Sequence, residues 1–325
     1  MSTAAERARL VAPGLALVTA IVIVADRVPH LVTGTSALIW SLAIGALIAN
    51  TGLVRPSFEP GIRTASRTVL RLGVALLGIR LSLGTIGDLG LRTIVVILGS
   101  LVITFAVTLL LGRALGVSAP LTLLIATGTG ICGASAIVAM ESVSEASREE
   151  AAFALATITA LGTVAMVGLP FLRTPLGLGM TDYGIWSGAS VQEVAQVVGA
   201  TAGVSAVALK IGTLVKLARV ALLAPLVFGF ALSRGRSRPA GTPLVPGFVI
   251  GFLAMAAVRT TGVLPDRVVL ELTRVDVWLL AAGMAGLGLG LSLSRLRGLG
   301  VRPLLLGFAS WIVIAVVSLA LISWA

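Results

Sequence analysis

The chain has 325 residues, 57% hydrophobic and only 11% charged, with a mean hydropathy of +1.09. A soluble core of this length would need a polar exterior that this composition cannot supply, so the chain reads as a polytopic membrane protein. The formal net charge of +11 does not point to nucleic acid: most arginines stand in short clusters between apolar runs, where the positive-inside rule accounts for them, and no RNA or DNA motif accompanies them.

In chain order, Arg7 and Arg9 precede an apolar run without a clear cleavage site, so residues 10–28 are read as a first membrane helix and not a signal peptide. About ten further runs long enough to span follow. They cover 35–53, 67–87, 91–112, 119–143, 151–172, 185–201, 205–233, 245–263, 268–293 and 301–324. Loops between them are short, so one transmembrane domain over 1–325 is expected. The arginines of one set of loops, from Arg7 and Arg9 through Arg234, Arg236 and Arg238 to Arg295, Arg297 and Arg302, outnumber those on the other side. That asymmetry predicts a cytoplasmic N-terminus and, with an odd number of spans, an external C-terminus.

The fifth span contains Thr127-Gly-Thr-Gly-Ile-Cys-Gly-Ala-Ser135. Glycines interleaved with hydroxyl residues hold a continuous helix poorly, and an opened helix is tolerated inside a bilayer only where its freed backbone groups face protein or water. The alternative is that these glycines only let two helices pack closely. If the helix breaks near Gly130 and Gly133, a half-helix starts near Ala134, and its free N–H groups attract an anion, with Thr129 and Ser135 as added hydroxyl donors. The tenth span again crowds glycines over 282–290, five spans later. An odd separation places two such units in opposite orientation, which predicts an inverted repeat (35–172 and 185–324, with 10–28 outside it). Gly286 and Gly288 would then mark a second break at the same depth.

The seventh span carries Gln192, Glu193 and Gln196, with Gln192 and Gln196 on one helical face and Glu193 and Gln196 within hydrogen-bonding reach along the helix. A carboxylate at that depth is costly unless paired or protonated. The eighth span offers Lys210, Lys216 and Arg219 as partners. A structural ion pair between neighbouring helices is the competing reading. Asp276 in the tenth span is expected to pair locally with Arg274 or to lie at an interface. One cysteine, Cys132, and one histidine, His30, exclude an internal disulfide and leave no metal-ligand set or Ser-His-Asp triad. Neither a metal, a cofactor nor an enzymatic centre is expected.

At these residues the chain resembles the sulfate exporter family of YeiH-related bacterial membrane proteins, over nearly its whole length. Gly130-Ile-Cys-Gly-Ala-Ser-Ala136 resembles that family's Gly-x-Cys-Gly-Ala-x-Ala signature, and residues 188–197 its Gly-Ala-Ser-x-His-Glu-x-Ala-Gln-Val signature. Lys216-Leu-Ala-Arg219 is similar to its Lys-x-x-Arg element, and residues 283–288 to its late Met-Ala-x-x-Gly segment. Gln192 stands where the family usually has histidine, so a proton-relay role does not carry over to that position. The resemblance implies a fold similar to bile acid symporters and Na⁺/H⁺ antiporters, with two crossed broken helices in a core domain and a panel domain beside it. It also implies a small anion as substrate, sulfate or a related sulfur oxyanion.

The expectation is therefore a secondary transporter of the bacterial cytoplasmic membrane. Its anion site would comprise Thr129, Gly130, Cys132, Gly133, Ala134, Ser135, Gln192, Glu193, Gln196, Lys216, Arg219, Gly286 and Gly288, with H⁺ or Na⁺ as coupling ion. A cation-coupled carrier of small organic solutes, and a non-transporting membrane protein, are the alternatives. A homodimer is plausible from related architectures.

Overall fold

The computed structural model describes residues 4–30, 36–80, 90–233, 247–291 and 300–324. The arginine clusters at 234–238 and 295–297 lie outside them. Every element among the described residues is helical, as lipid requires of a chain whose backbone must satisfy itself. In order the α-helices are α1 (Ala4–Arg27), α2 (Ala37–Ala49), α3 (Glu59–Thr64), α4 (Leu70–Leu76), α5 (Gly90–Ala114), α6 (Ala119–Gly130), α7 (Ala134–Glu141) and α8 (Arg148–Leu172). They continue as α9 (Met180–Ser190), α10 (Val194–Ala202), α11 (Ala206–Ala221), α12 (Leu223–Ser233), α13 (Gly247–Thr260), α14 (Asp266–Leu289) and α15 (Val301–Trp324). Five stretches are long and apolar enough to cross a bilayer: Ala8–Arg27, Gly90–Ala114, Arg148–Leu172, Ala206–Ser233 and Val301–Trp324.

Local chemistry sets several helix starts. Ser118 caps α6, its hydroxyl accepting from Leu121 N at 3.4 Å, with Pro120 in the first turn where its missing N–H costs nothing. Ser147 and Glu150 form a capping box at α8: Ser147 Oγ accepts from Glu150 N at 3.1 Å, and Glu150 Oε2 accepts from Ser147 N at 2.8 Å. Ser205 caps α11 through Ala208 N at 3.0 Å.

The described residues form two compact units, interleaved in sequence. The first lies within 1–85 and 247–293 and holds α1–α4, α13 and α14. Its core gathers Val18, Ile21, Val22, Ile62, Ala65, Ala281, Ala285 and Leu289. Contrary to the expected break in the tenth span, α14 runs uninterrupted through Gly283, Gly286 and Gly288 to Leu289. The glycines serve close packing instead. A Cβ on Gly288 would lie 2.2 Å from Leu42 O of α2, and one on Gly286 would lie 2.7 Å from Ser66 N, in the π-helical turn Ala65–Val69 between α3 and α4. Small residues let the neighbouring backbones in, and the packing they permit outweighs the weak helix propensity of glycine. The second glycine-rich segment therefore does not supply the second break on which the expected inverted repeat rested. Asp276 is fully buried and pairs with Arg80 at 2.7 Å, not with Arg274, which is taken by Glu271 at 2.8 Å.

Gly288→Ala is expected to destabilise this unit by about 3 kcal/mol or more, because the new methyl meets a backbone carbonyl that cannot step aside. Gly168→Ala in α8, where a Cβ meets nothing within 4 Å, is the control. It should be neutral or stabilising by up to about 1 kcal/mol. Thermal melts in detergent, with equal loss for both variants as the contrary result, decide it.

The second unit lies within 86–246 and 294–325 and holds α5–α12 and α15. Here α5 packs along α15, with Thr108 Oγ1 donating to Ser310 Oγ at 3.0 Å, and Trp186 Nε1 of α9 donates to Ala315 O of α15 at 2.9 Å. α9 packs tightly on α11, where a Cβ on Gly188 would meet Gly212 O at 2.5 Å. Every residue from Leu121 to Gly133 and from Tyr183 to Thr201 is buried. Those two enclosed segments are the ones that break.

Candidate functional site

The first interruption separates α6 from α7. Ile131 leaves helical geometry at φ −120° and ψ −88°, and Gly133 turns the chain at φ +65° and ψ −120°, a conformation that a residue with a Cβ rarely adopts. Ile131 N still donates to Thr127 O and Gly133 N to Gly128 O, both at 3.0 Å. The carbonyls of Gly130 and Ile131 are left over by the helix.

The second interruption was not expected as such. The seventh span is not one helix: α9 ends at Ser190, Val191 and Glu193 are extended at φ/ψ of −81°/142° and −109°/151°, and α10 begins at Val194. Gln192 and Gln196 therefore do not share a helical face. Gln196 does reach Glu193, but through the backbone: its Oε1 accepts from Glu193 N at 3.1 Å, as N3 does for N-cap in a capping box. The Glu-x-x-Gln spacing was the legible signal for a helix start. Gln196 Nε2 donates onward to Thr159 O of α8 at 3.2 Å, and Thr159 Oγ1 donates to Glu193 Oε1 at 3.4 Å. Thr159 was not anticipated from the sequence, where it is one threonine of an unremarked span.

The two interruptions meet at α11. Lys216 and Arg219, three residues apart on one face, are both fully buried. Lys216 Nζ donates to Ile131 O at 3.1 Å, Arg219 Nη2 donates to Gly130 O, and Arg219 Nη1 donates to Ala189 O near the end of α9. One guanidinium thus holds the C-terminal ends of two half-helices, where the partial negative charge of each dipole favours a cation. Glu193 takes the opposite role. Its carboxylate lies against the amide of Ala134 at the N-terminus of α7, and a Cβ on Gly133 would sit 2.6 Å from its Cγ. Formal charge is complementary to the helix ends throughout.

Of the anticipated residues, Thr129, Gly130, Cys132, Gly133, Ala134, Ser135, Gln192, Glu193, Gln196, Lys216 and Arg219 lie on these two interruptions and α11. Gly286 and Gly288 belong to the first unit. Lys216 and Arg219 are not loose sources of positive potential: they are spent on named carbonyls. Ala134 and Ser135 are partly exposed at the start of α7, whereas Cys132 is buried in the bend. Several polar atoms lack partners: Gln192 Nε2 and Oε1, Thr129 Oγ1 and Arg219 Nε are buried with no hydrogen bond, although buried polar groups normally find one. Gln192 is fully buried with both of its amide atoms unpartnered.

Comparison with known proteins agrees with a membrane chain. Residues 13–307 match the family described as conserved hypothetical protein 698. A UPF0324 membrane protein of Corynebacterium glutamicum is 38% identical over 313 residues, covering 95% of this chain and 91% of its own. One from Rhizobium meliloti is 37% identical, covering 95% and 91%. The UPF0324 membrane protein TauZ of Paracoccus pantotrophus is 36% identical over 292 residues, covering 87% and 86%. This chain belongs to that family of multi-pass membrane proteins.

Proposed function

We propose that this member of the conserved hypothetical protein 698 family is a secondary transporter, carrying a small anion across the bacterial cytoplasmic membrane by alternating access. The observation that carries the reading is the meeting of two helix interruptions at buried charged side chains: Lys216 and Arg219 on the carbonyls of Ile131, Gly130 and Ala189, and Glu193 on the Ala134 amide, with unpartnered polar atoms on the same segments. Discontinuous helices are how membrane carriers expose backbone dipoles to a polar substrate at depth. The formal balance of Lys216 and Arg219 against Glu193 leaves an excess positive charge. The free donors, Gln192 Nε2, Thr129 Oγ1 and Arg219 Nε, suit the oxygens of an oxyanion. Ser135, partly exposed beside Ala134, would add a hydroxyl. Sulfate and related sulfur oxyanions are the first class to try, on the resemblance of residues 130–136 and 188–197 to sulfate exporters.

A second reading has its own support. Gln192 Oε1, the Glu193 carboxylate and nearby carbonyls are oxygen ligands of the kind Na⁺ takes, which would suit a cation-coupled carrier of an organic solute. Thermal melts of the purified protein against sulfate, sulfite, thiosulfate and small carboxylates, with NaCl varied, separate the two. A ligand of the folded state at a hundred times its Kd stabilises by about 2.7 kcal/mol. A selective shift by a sulfur oxyanion that is lost in Ser135→Ala is the expected result. A shift by Na⁺ alone would put the second reading first.

Gln192→Met gives an independent check. Removing two orphaned buried polar atoms at nearly constant volume is expected to raise stability by about 1–3 kcal/mol while abolishing the anion-induced shift. A variant that is less stable than the parent would show that Gln192 is satisfied in the folded protein and is not held in reserve for a ligand.

A further inference from the structure

The carboxylate of Glu193 already occupies the position an anion would take. It sits at the N-terminus of α7, an eight-residue helix, against the Ala134 amide and the Thr159 hydroxyl. Its backbone is held by the bond from Glu193 N to Gln196 Oε1, itself anchored on Thr159 O. The carboxylate also accepts from the backbone amide of Gln196 in the same capping box, so it caps α10 as well as α7; when the carboxylate leaves, the Glu193 N to Gln196 Oε1 bond remains to hold the α10 start.

What holds the carboxylate is dipolar. None of the ion pairs among the described residues includes Glu193. The charged and titratable groups facing it are Lys216 on α11 and Cys132 in the first bend, with Arg219 one turn beyond Lys216. From α8 and α10 the facing groups are Thr159 and Gln196, which do not titrate. Lys216 and Arg219 are bound to helix-end carbonyls and not to Glu193. Counting Lys216 and Arg219 as cations, the formal charge of the three groups is +1 with Glu193 ionised and +2 with Glu193 protonated. Only the second state balances a dianion. Gln192, the residue before Glu193 in the chain, is fully buried with both amide atoms unpartnered.

Building on the anion-carrier reading, we propose that Glu193 is a tethered competitor of the transported anion. Its carboxylate fills the α7 N-terminus when the site is empty. On accepting a proton from water it yields that position to the entering oxyanion, and both are released together on the other side. Each anion therefore moves with one proton in the same direction. No covalent bond changes other than the O–H formed and broken at the Glu193 carboxyl.

The test uses the full chain in proteoliposomes, with labelled sulfate as probe and the membrane potential clamped at zero by valinomycin and equal K⁺. For one proton per anion, an exterior one pH unit more acid should drive about tenfold sulfate accumulation, since one pH unit is a tenfold proton ratio. Glu193→Gln mimics the protonated state permanently. Its sulfate-for-sulfate exchange should no longer depend on pH, and it should lose accumulation driven by the pH gradient. Wild type that exchanges sulfate without responding to the gradient overturns the coupling and leaves the carrier reading standing. So does Glu193→Gln that still accumulates, or that is monodisperse yet cannot exchange, because the carboxylate would then serve anion binding directly. Wild type that moves neither sulfate, sulfite nor thiosulfate removes the sulfur-oxyanion reading itself.

Discussion

Arg219→Met is expected to cost the second unit about 2–6 kcal/mol and to abolish anion flux. The guanidinium satisfies Gly130 O and Ala189 O at the ends of two half-helices, and each buried carbonyl left without a donor costs about 1–3 kcal/mol. Every residue around these carbonyls is buried, so bulk water has little access to one left without its donor. Arg219→Lys should recover at most about half of the loss, because an ammonium on a flexible stem does not reproduce a planar fork reaching two helix ends. Thermal melts in detergent and sulfate exchange in vesicles measure both. An Arg219→Met protein with wild-type stability would mean that the interruptions are held by their surroundings, and the role given to Arg219 would fall.

Gly133→Ala should be the most damaging single methyl in the site. At φ +65° an alanine is strained by about 1–3 kcal/mol, and its Cβ would lie 2.6 Å from Glu193 Cγ and 3.2 Å from Oε1. Either the bend opens or the methyl displaces the carboxylate and itself covers the α7 N-terminus, where an anion would have to bind. Exchange should fall at least tenfold, a loss worth about 1.4 kcal/mol. Gly128→Ala isolates the effect of position: its Cβ meets only side chains of Ile137 and Ile158, at 3.0–3.1 Å, at ordinary backbone angles. It should lose some stability and keep function. Equal exchange by Gly133→Ala and wild type would sink the site assignment.

The pattern of what was legible follows the range of the forces. Composition alone placed the chain in the membrane. The glycines and hydroxyls of 127–135 correctly marked an interruption, because Gly133 needs a backbone conformation that other residues rarely take. The second interruption was hidden, since Val191 and Gln192 carry no such demand; only the capping-box spacing of Glu193 and Gln196 announced it. Asp276 finds Arg80, far away in sequence, and no local rule could have chosen that partner over Arg274.

Composition and residue type alone indicate the class of protein, one of the two places where the backbone opens and the small set of charges that the membrane interior would not tolerate unpaired. Which glycines break a helix and which admit a neighbour follows from packing in three dimensions. The cost of glycine in a helix is about 1 kcal/mol wherever it stands, so what lies opposite decides. Gly288 faces the carbonyl of Leu42, and its helix continues; Gly133 faces Glu193, with Arg219 and Lys216 holding the carbonyls of Gly130 and Ile131 just before it, and its helix ends.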